Sequence, residues 1–128
     1  MSSNIGTELQ DYIGDNSSLI VSESIFLEDI PQNVAAGAMI AGSGGAQPSR
    51  TTQEFFPTFR VVGRGGSIDE ALEKWLIVFN LLHQRSNYDL ANYRVFFSLG
   101  LSDNPILILN GPRVYEYESF IELHYKPR

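Results

Sequence analysis

Reactive side chains are scarce in this chain. It has no cysteine and only two histidines, His83 and His124. Thiolate metal sites, thiol nucleophiles, disulfides and iron–sulfur clusters are therefore excluded, and little remains for zinc or a histidine base. The most ligand-like grouping is Glu118, Glu122 and His124, which fall on one side of an alternating strand pattern. Along an extended strand Glu118 and Glu122 stand about 13 Å apart, whereas metal–ligand distances are about 2 Å. They cannot share a metal, and a solvated acidic face accounts for them better. Serines are numerous, but no Gly-x-Ser-x-Gly elbow occurs. His83 sits near the C-terminal end of a helical pattern, where capping or surface solvation explains it. Asp69 and Glu70 complement a helix start and do not form an acid–base dyad. The stretch Gly42-Ser43-Gly44-Gly45 is followed by no lysine, so it fails as a phosphate cradle. Gly63-Arg64-Gly65-Gly66 precedes a capped helix, where an anion can sit, but glycines also let a strand turn sharply into a helix. The expectation is a non-enzyme with no catalytic residue, no metal and no cofactor.

The scaffold is 128 residues long, 43% hydrophobic and 19% charged. That suits one domain with a real core. The net charge of −6 lies wholly in residues 1–49, which hold six acids and no Lys or Arg, while residues 50–128 balance nine acids with nine bases. No basic patch is available for duplex DNA, so specific nucleic-acid recognition is disfavoured. No apolar run reaches the ~20 residues of a membrane span. The N-terminus lacks a basic flank and an apolar signal segment, which predicts a soluble, intracellular domain.

Ile5, Leu9, Tyr12 and Ile13 recur at helical spacing after Ser2 or Ser3 as cap. Residues 19–21 and 24–27 read as short strands, followed by a proline-bounded turn at Pro31. Residues 34–41 read as a strand buried on both faces, and residues 42–53 as a long mobile loop. The next strand, 54–64, presents Phe55, Phe59 and Val61 on one side and Phe56, Thr58, Arg60, Val62 and Arg64 on the other. Pro57 implies an edge or a bulge. Ser67-Ile68-Asp69-Glu70 is a capping box. Ile68, Ala71, Leu72, Trp75, Leu76, Phe79 and Leu82 follow at helical spacing, and Ile77, Val78 and Leu81 widen the apolar arc beyond one stripe. Residues 87–92 read as a connection. Tyr93, Val95, Phe97, Leu99 and Leu101 then alternate with Arg94, Phe96, Ser98 and Gly100. A short strand follows at 106–109. The last, 114–125, carries Tyr115, Tyr117, Ile121, Leu123 and Tyr125 on one face and Glu116, Glu118, Phe120, Glu122 and His124 on the other. This order predicts a single α+β domain over residues 1–128, a mostly antiparallel sheet with two helices packed on one face.

Three segments carry a resemblance: Ser24-Ile25-Phe26-Leu27-Glu28-Asp29-Ile30-Pro31, the glycine-rich stretch after Ile40, and Phe59-Arg60-Val61-Val62-Gly63-Arg64-Gly65. With Asp69-Glu70-Ala71-Leu72 leading into Phe79-Asn80-Leu81-Leu82-His83, they resemble the tail terminator (minor capsid, neck) proteins of long-tailed bacteriophages. The resemblance implies a structural virion protein, assembled in the host cytoplasm, that forms a hexameric ring on the end of the tail tube. Such a ring ends tube polymerisation and offers the docking surface for the head. The partners implied are further copies of the chain, the tail-tube protein and a head-completion or stopper protein. DNA would pass through the channel without specific binding, and no membrane is involved.

On that basis Trp75, Val78, Tyr115, Tyr117 and Tyr125 are candidates for the subunit interface. Gly44, Gly45, Gln47 and Arg50 are candidates for the tube-contacting loop. The acidic N-terminal segment maps onto no shared motif. The alternatives are a head-completion or adaptor protein on the portal side of the neck, and a small hydrolase using Glu122 and His124.

Overall fold

A computed structural model describes residues 4–46, 54–101, 104–109 and 112–128. The chain runs through α1 (Ile5–Asp15), β1 (Ile25–Leu27), β2 (Gly37–Ala46), β3 (Phe56–Gly65), α2 (Ile68–Leu82), β4 (Arg85–Asp89), β5 (Tyr93–Gly100), β6 (Ile106–Leu109) and β7 (Tyr115–Pro127). The fold is α+β. Its seven strands form one sheet in the order β1-β2-β3-β7-β5-β4, with β6 also paired to β7. Among the strands of the described residues the short β1–β2 pairing is parallel and the others are antiparallel.

Both helices pack on the same face of the sheet. Leu9 and Ile13 of α1 and Trp75, Val78, Phe79 and Leu82 of α2 join Ile40, Val61, Val95, Ile121 and Leu123 in one buried cluster. Helix α2 lies very close to the sheet because β3 and β5 carry glycines beneath it. A Cβ on Gly63 would stand 2.3 Å from the Trp75 backbone nitrogen, and one on Gly100 would stand 2.4 Å from the Phe79 ring. The Gly63 position is thus explained by close approach of helix and strand, not by a turn after the strand. Ser67 caps α2 by accepting from the Glu70 N–H at 3.2 Å, while Glu70 accepts from the Gly66 N–H at 2.7 Å.

Helix α1 is wedged between the two edges of the sheet. Side chains advance by about 100° per helical residue, so Leu9 and Ile13 point inward while Gln10 and Glu8 point to opposite flanks. Gln10 donates to the Ile25 carbonyl of β1 at 3.0 Å. On the other flank Tyr12 stacks on Tyr88 of β4 at 4.9 Å. Glu8 accepts from the Asn92 N–H and side-chain amide, both at 2.7 Å. One helix touching both edge strands requires a strongly curled sheet. The acidic segment thereby acquires a structural role, fastening the seam.

Four local expectations are corrected. Residues 19–21 form no strand; only Val21 makes an isolated bridge, to Ile25. Residues 87–92 are not merely a connection, since β4 pairs with β5 up to Asp89. Part of the expected loop at 42–53 is strand: β2 runs to Ala46, with a bulge between Gly42 and Gly45 opposite Pro57. Finally, β5 does not keep a period of two. Val95 pairs with Tyr125 and Phe97 with His124, leaving Phe96 as the extra residue of a bulge.

Candidate functional site

The bulge at Phe96 decides what the helix-free face of the sheet looks like. Before it, Val95 lies in the core; after it, Ser98 and Gly100 turn toward α2, and Phe97, Leu99 and Leu101 turn away. Small groups are what the space under α2 accepts. Ser98 donates to the Leu82 carbonyl and receives the Tyr88 hydroxyl at 2.9 Å. The Gly100 N–H donates to His83 Nδ1 at 2.9 Å. His83 is the C-terminal cap residue of α2, and its ring stacks on Phe79.

The outward set is therefore apolar. Phe97 is 37% exposed, Leu99 39%, Leu101 54% and Ile106 of β6 67%. These residues lie side by side along β7, since Phe97 faces His124, Leu99 faces Glu122 and Ile106 faces Glu118. Strand β6 pairs with β7 on one edge only among the described residues, so an uncharged Ile-Leu-Ile-Leu strand borders the strip. Exposed apolar residues grouped in this way form a candidate interaction surface.

Charged groups on this face are mostly paired. Arg60 meets Glu118 at 3.1 Å. The buried Arg64 meets Glu116 at 2.8 Å and also donates to the carbonyls of Ile30, Pro31 and Val34. Arg64 thereby holds the segment after β1 across Phe26, Met39 and Val62, a second apolar cluster. That end of the face is covered by the chain itself, whereas among the described residues the strip on β5 and β6 keeps Phe97, Leu99, Leu101 and Ile106 exposed.

Glu122 and His124 are not brought together as a reactive pair. His124 sits among Phe56, Phe96 and Phe97, with ring centroids at 4.5, 5.1 and 5.1 Å. Its Nε2 lies 3.4 Å from Glu54 but forms no hydrogen bond among the described residues. Among the described residues, Glu122 has no hydrogen-bond or ion-pair partner and no group of three or more His, Asp or Glu is placed to hold a metal.

Of the expected interface residues, Trp75 and Val78 are core. Trp75 is 2% exposed, stacks on Phe79 at 4.5 Å and donates its indole N–H to Ser119 at 2.8 Å. The broad arc of α2 is absorbed by close packing on the sheet, so Trp75 and Val78 offer no surface. Tyr125 is likewise buried, stacked on Phe55 and edge-on to Tyr93, and burial raises its phenol pKa. Tyr115 and Tyr117 are partly buried on the helix-facing side of β7. Gly44 and Gly45 lie in β2, Gly45 opposite Pro57; Gln47 and Arg50 lie outside the described residues.

Sequence reasoning missed Phe97, Leu99, Leu101 and Ile106 because unbroken alternation assigns the first three to the same face as Val95. The available signal was the small size of Ser98 and Gly100.

Two open clefts are found among the described residues. One of about 410 Å³ lies by Arg64, Arg113 and Gln32, and one of about 250 Å³ lies by Asp11, Asp15 and Asp89. Among the described residues no helix is long and apolar enough to cross a membrane. No protein-family model matches this chain, and no curated protein matches it.

Proposed function

We propose that this chain is a structural, non-enzymatic protein of the head–tail junction of a long-tailed bacteriophage. In this reading it is a tail terminator whose copies close into a ring, six by the resemblance, on the end of the tail tube. The observation that carries the reading is the uncovered apolar strip of Phe97, Leu99, Leu101 and Ile106 beside the bare edge of β6. A single copy leaves that surface in water, and burying it stabilises an assembly by roughly 25 cal/mol per Å² before association costs. A ring needs a contact between two different surfaces of identical neighbours, repeated until it closes. The segment resemblance supplies the identity of the assembly, and the strip supplies its physical driving force.

Electron microscopy of particles assembled without the protein tests the reading. Overlong tails without heads are expected. Tails of normal length detached from heads would instead indicate the portal-side adaptor, and normal virions would exclude both.

A further inference from the structure

We infer that copies of this chain join edge to edge, with β6 of one copy adding as an antiparallel strand to the free second half of β2, Gly42–Ala46, of the next. The inference rests on the ring reading and names the contact that joins neighbours. It starts from the hydrogen-bonding groups left over along the margins of the sheet. Backbone N–H and C=O groups at a sheet edge are a template for pairing with another chain unless something blocks them.

Most of the margin is blocked. On β1 the Ile25 carbonyl accepts from the Ser22 N–H and from Gln10, both at 3.0 Å. β4 carries Arg85 and Asp89, breaks its pairing at Asn87, where φ is 54°, and lies against Tyr12 of α1. At the end of β5 the outward Gly100 N–H donates to His83. Beyond Gly100 the blocking stops. The Leu101 N–H donates to the Phe120 carbonyl, so the even-numbered residues of β7 address β5 and β6. Ile106 and Ile108, opposite Glu118 and Glu116, therefore bond to β7, and alternation points the N–H and C=O groups of Leu107 and Leu109 away from it. Nothing answers those groups among the described residues. β6 is bounded by Pro105 but bears no charge, and it is exposed on both faces, Ile106 at 67% and Leu107 at 38%.

At the opposite margin β1 covers β2 only as far as Ile40. Ala38 and Ile40 bond to β1 through their N–H and C=O groups, whereas Gly42, next in that row, has no such partner among the described residues. The run Gly42-Ser43-Gly44-Gly45-Ala46 is bent by a bulge but holds no charge, no proline and no large side chain.

These two margins fit each other better than either fits itself. Pairing β6 with a second β6 leaves the glycine edge bare, and pairing β2 with a second β2 gains no apolar contact. Setting β6 on β2 lays Ile and Leu side chains across glycines whose backbone they shield. Direction agrees as well. β2, β3, β7 and β6 are successively antiparallel, so β2 and β6 of one chain run in opposite directions. A neighbour related by rotation about a ring axis then presents its β2 antiparallel to β6. Because β3 and β7 separate the two margins, the contact repeats from copy to copy. Ile106 stands on β6 itself, so the contact also covers that end of the apolar strip.

The absence of native cysteine permits a clean test. Chains carrying only Ile106→Cys are mixed with chains carrying only Ser43→Cys, in the presence of tail tubes, and treated with a short bifunctional thiol crosslinker. Both positions are exposed in the single chain. Crosslinks joining the two different variants, and none within either variant alone, are the expected result. Crosslinking of Ile106→Cys to itself would overturn the inference in favour of a two-fold β6 contact. Absence of crosslinks while the unmodified chain still caps tubes would overturn this contact and leave the ring reading standing. Failure of the unmodified chain to associate at all would overturn both. Hydrogen exchange of the unmodified chain gives a second readout: the Leu107 and Leu109 amides should slow at least about tenfold on assembly. Unchanged exchange at both in tube-capping rings would overturn the strand pairing.

Discussion

Val95 and Phe97 are two residues apart on β5 yet face opposite sides of the sheet. Val95 is fully buried in the main core opposite Tyr125, whereas Phe97 packs on His124 on the helix-free face. The extra residue between them, Phe96, makes the bulge that turns Phe97, Leu99 and Leu101 outward and leaves Ser98 and Gly100 under α2. Removing Phe96 leaves Val95 opposite Tyr125 and Phe97 opposite His124 as consecutive pairs, so Phe97 and Leu99 should stay outward and Ser98 and Gly100 under α2. We expect deletion of Phe96 to be tolerated, at a cost of about 1–2 kcal/mol from the lost contact with His124. Urea unfolding measures this, and a chain that no longer folds would contradict Phe96 as the extra residue of a bulge.

The close approach of α2 to β3 gives a second test. Gly63→Ala places a methyl group 2.3 Å from the Trp75 nitrogen and 2.5 Å from the Ala71 carbonyl oxygen, both backbone atoms. The helix must move, and a loss of about 3 kcal/mol is expected. Gly42→Ala meets nothing within 4 Å and should change stability by less than about 1 kcal/mol. Thermal melts of the two variants side by side check the contrast.

Much of this architecture is legible in the sequence. The faces of β7 and β3 follow from plain alternation, the α2 cap follows from Ser67 and Glu70, and the α+β arrangement follows from element order. Misreadings occur where tertiary contacts override local pattern. β4, Arg-Ser-Asn-Tyr-Asp, has little strand character and a positive φ of 54° at Asn87; it forms because Tyr88 is held between Tyr12 and Ser98. The α2 arc looks too broad for one interface until Gly63 and Gly100 are seen to let the helix sink onto the sheet. Glu8 gives no local sign that it will bind Asn92, 84 residues away.

Arg64 and Glu116 form a buried ion pair, side chains 10% and 8% exposed. Arg64→Ala strands the Glu116 carboxylate and releases three carbonyls, and should cost about 3–5 kcal/mol. The paired change Arg64→Met with Glu116→Leu leaves no buried charge and should recover part of that loss. Hydrogen exchange over residues 28–36 reports whether the covering segment loosens in the first variant, as expected.

Alkaline pH should weaken the fold through Tyr88. Burial pushes its phenol from 10.0 up to about 12, opposed by the hydrogen bond to Ser98. The unfolded chain gives up this proton near pH 10, while the folded chain keeps it until about 12. Stability from Tyr88 is therefore full below pH 10 and falls as pH rises through that window, by a total on the order of 3 kcal/mol. Tyr88→Phe should flatten the decline between pH 10 and 12, leaving the smaller loss from Tyr125. Unfolding curves against pH measure both.

The strip on β5 and β6 is where the account is most exposed to refutation. Leu101→Lys and Ile106→Lys change side chains that are already in water, so the folded chain should keep its melting temperature within a few degrees. Light scattering with tail tubes present should find the unmodified chain in closed rings on tube ends and the double variant folded but monomeric, with tubes growing past normal length. Rings that persist in the double variant, or an unmodified chain that stays monomeric beside tube ends, would contradict the claim that other copies of this chain cover the strip.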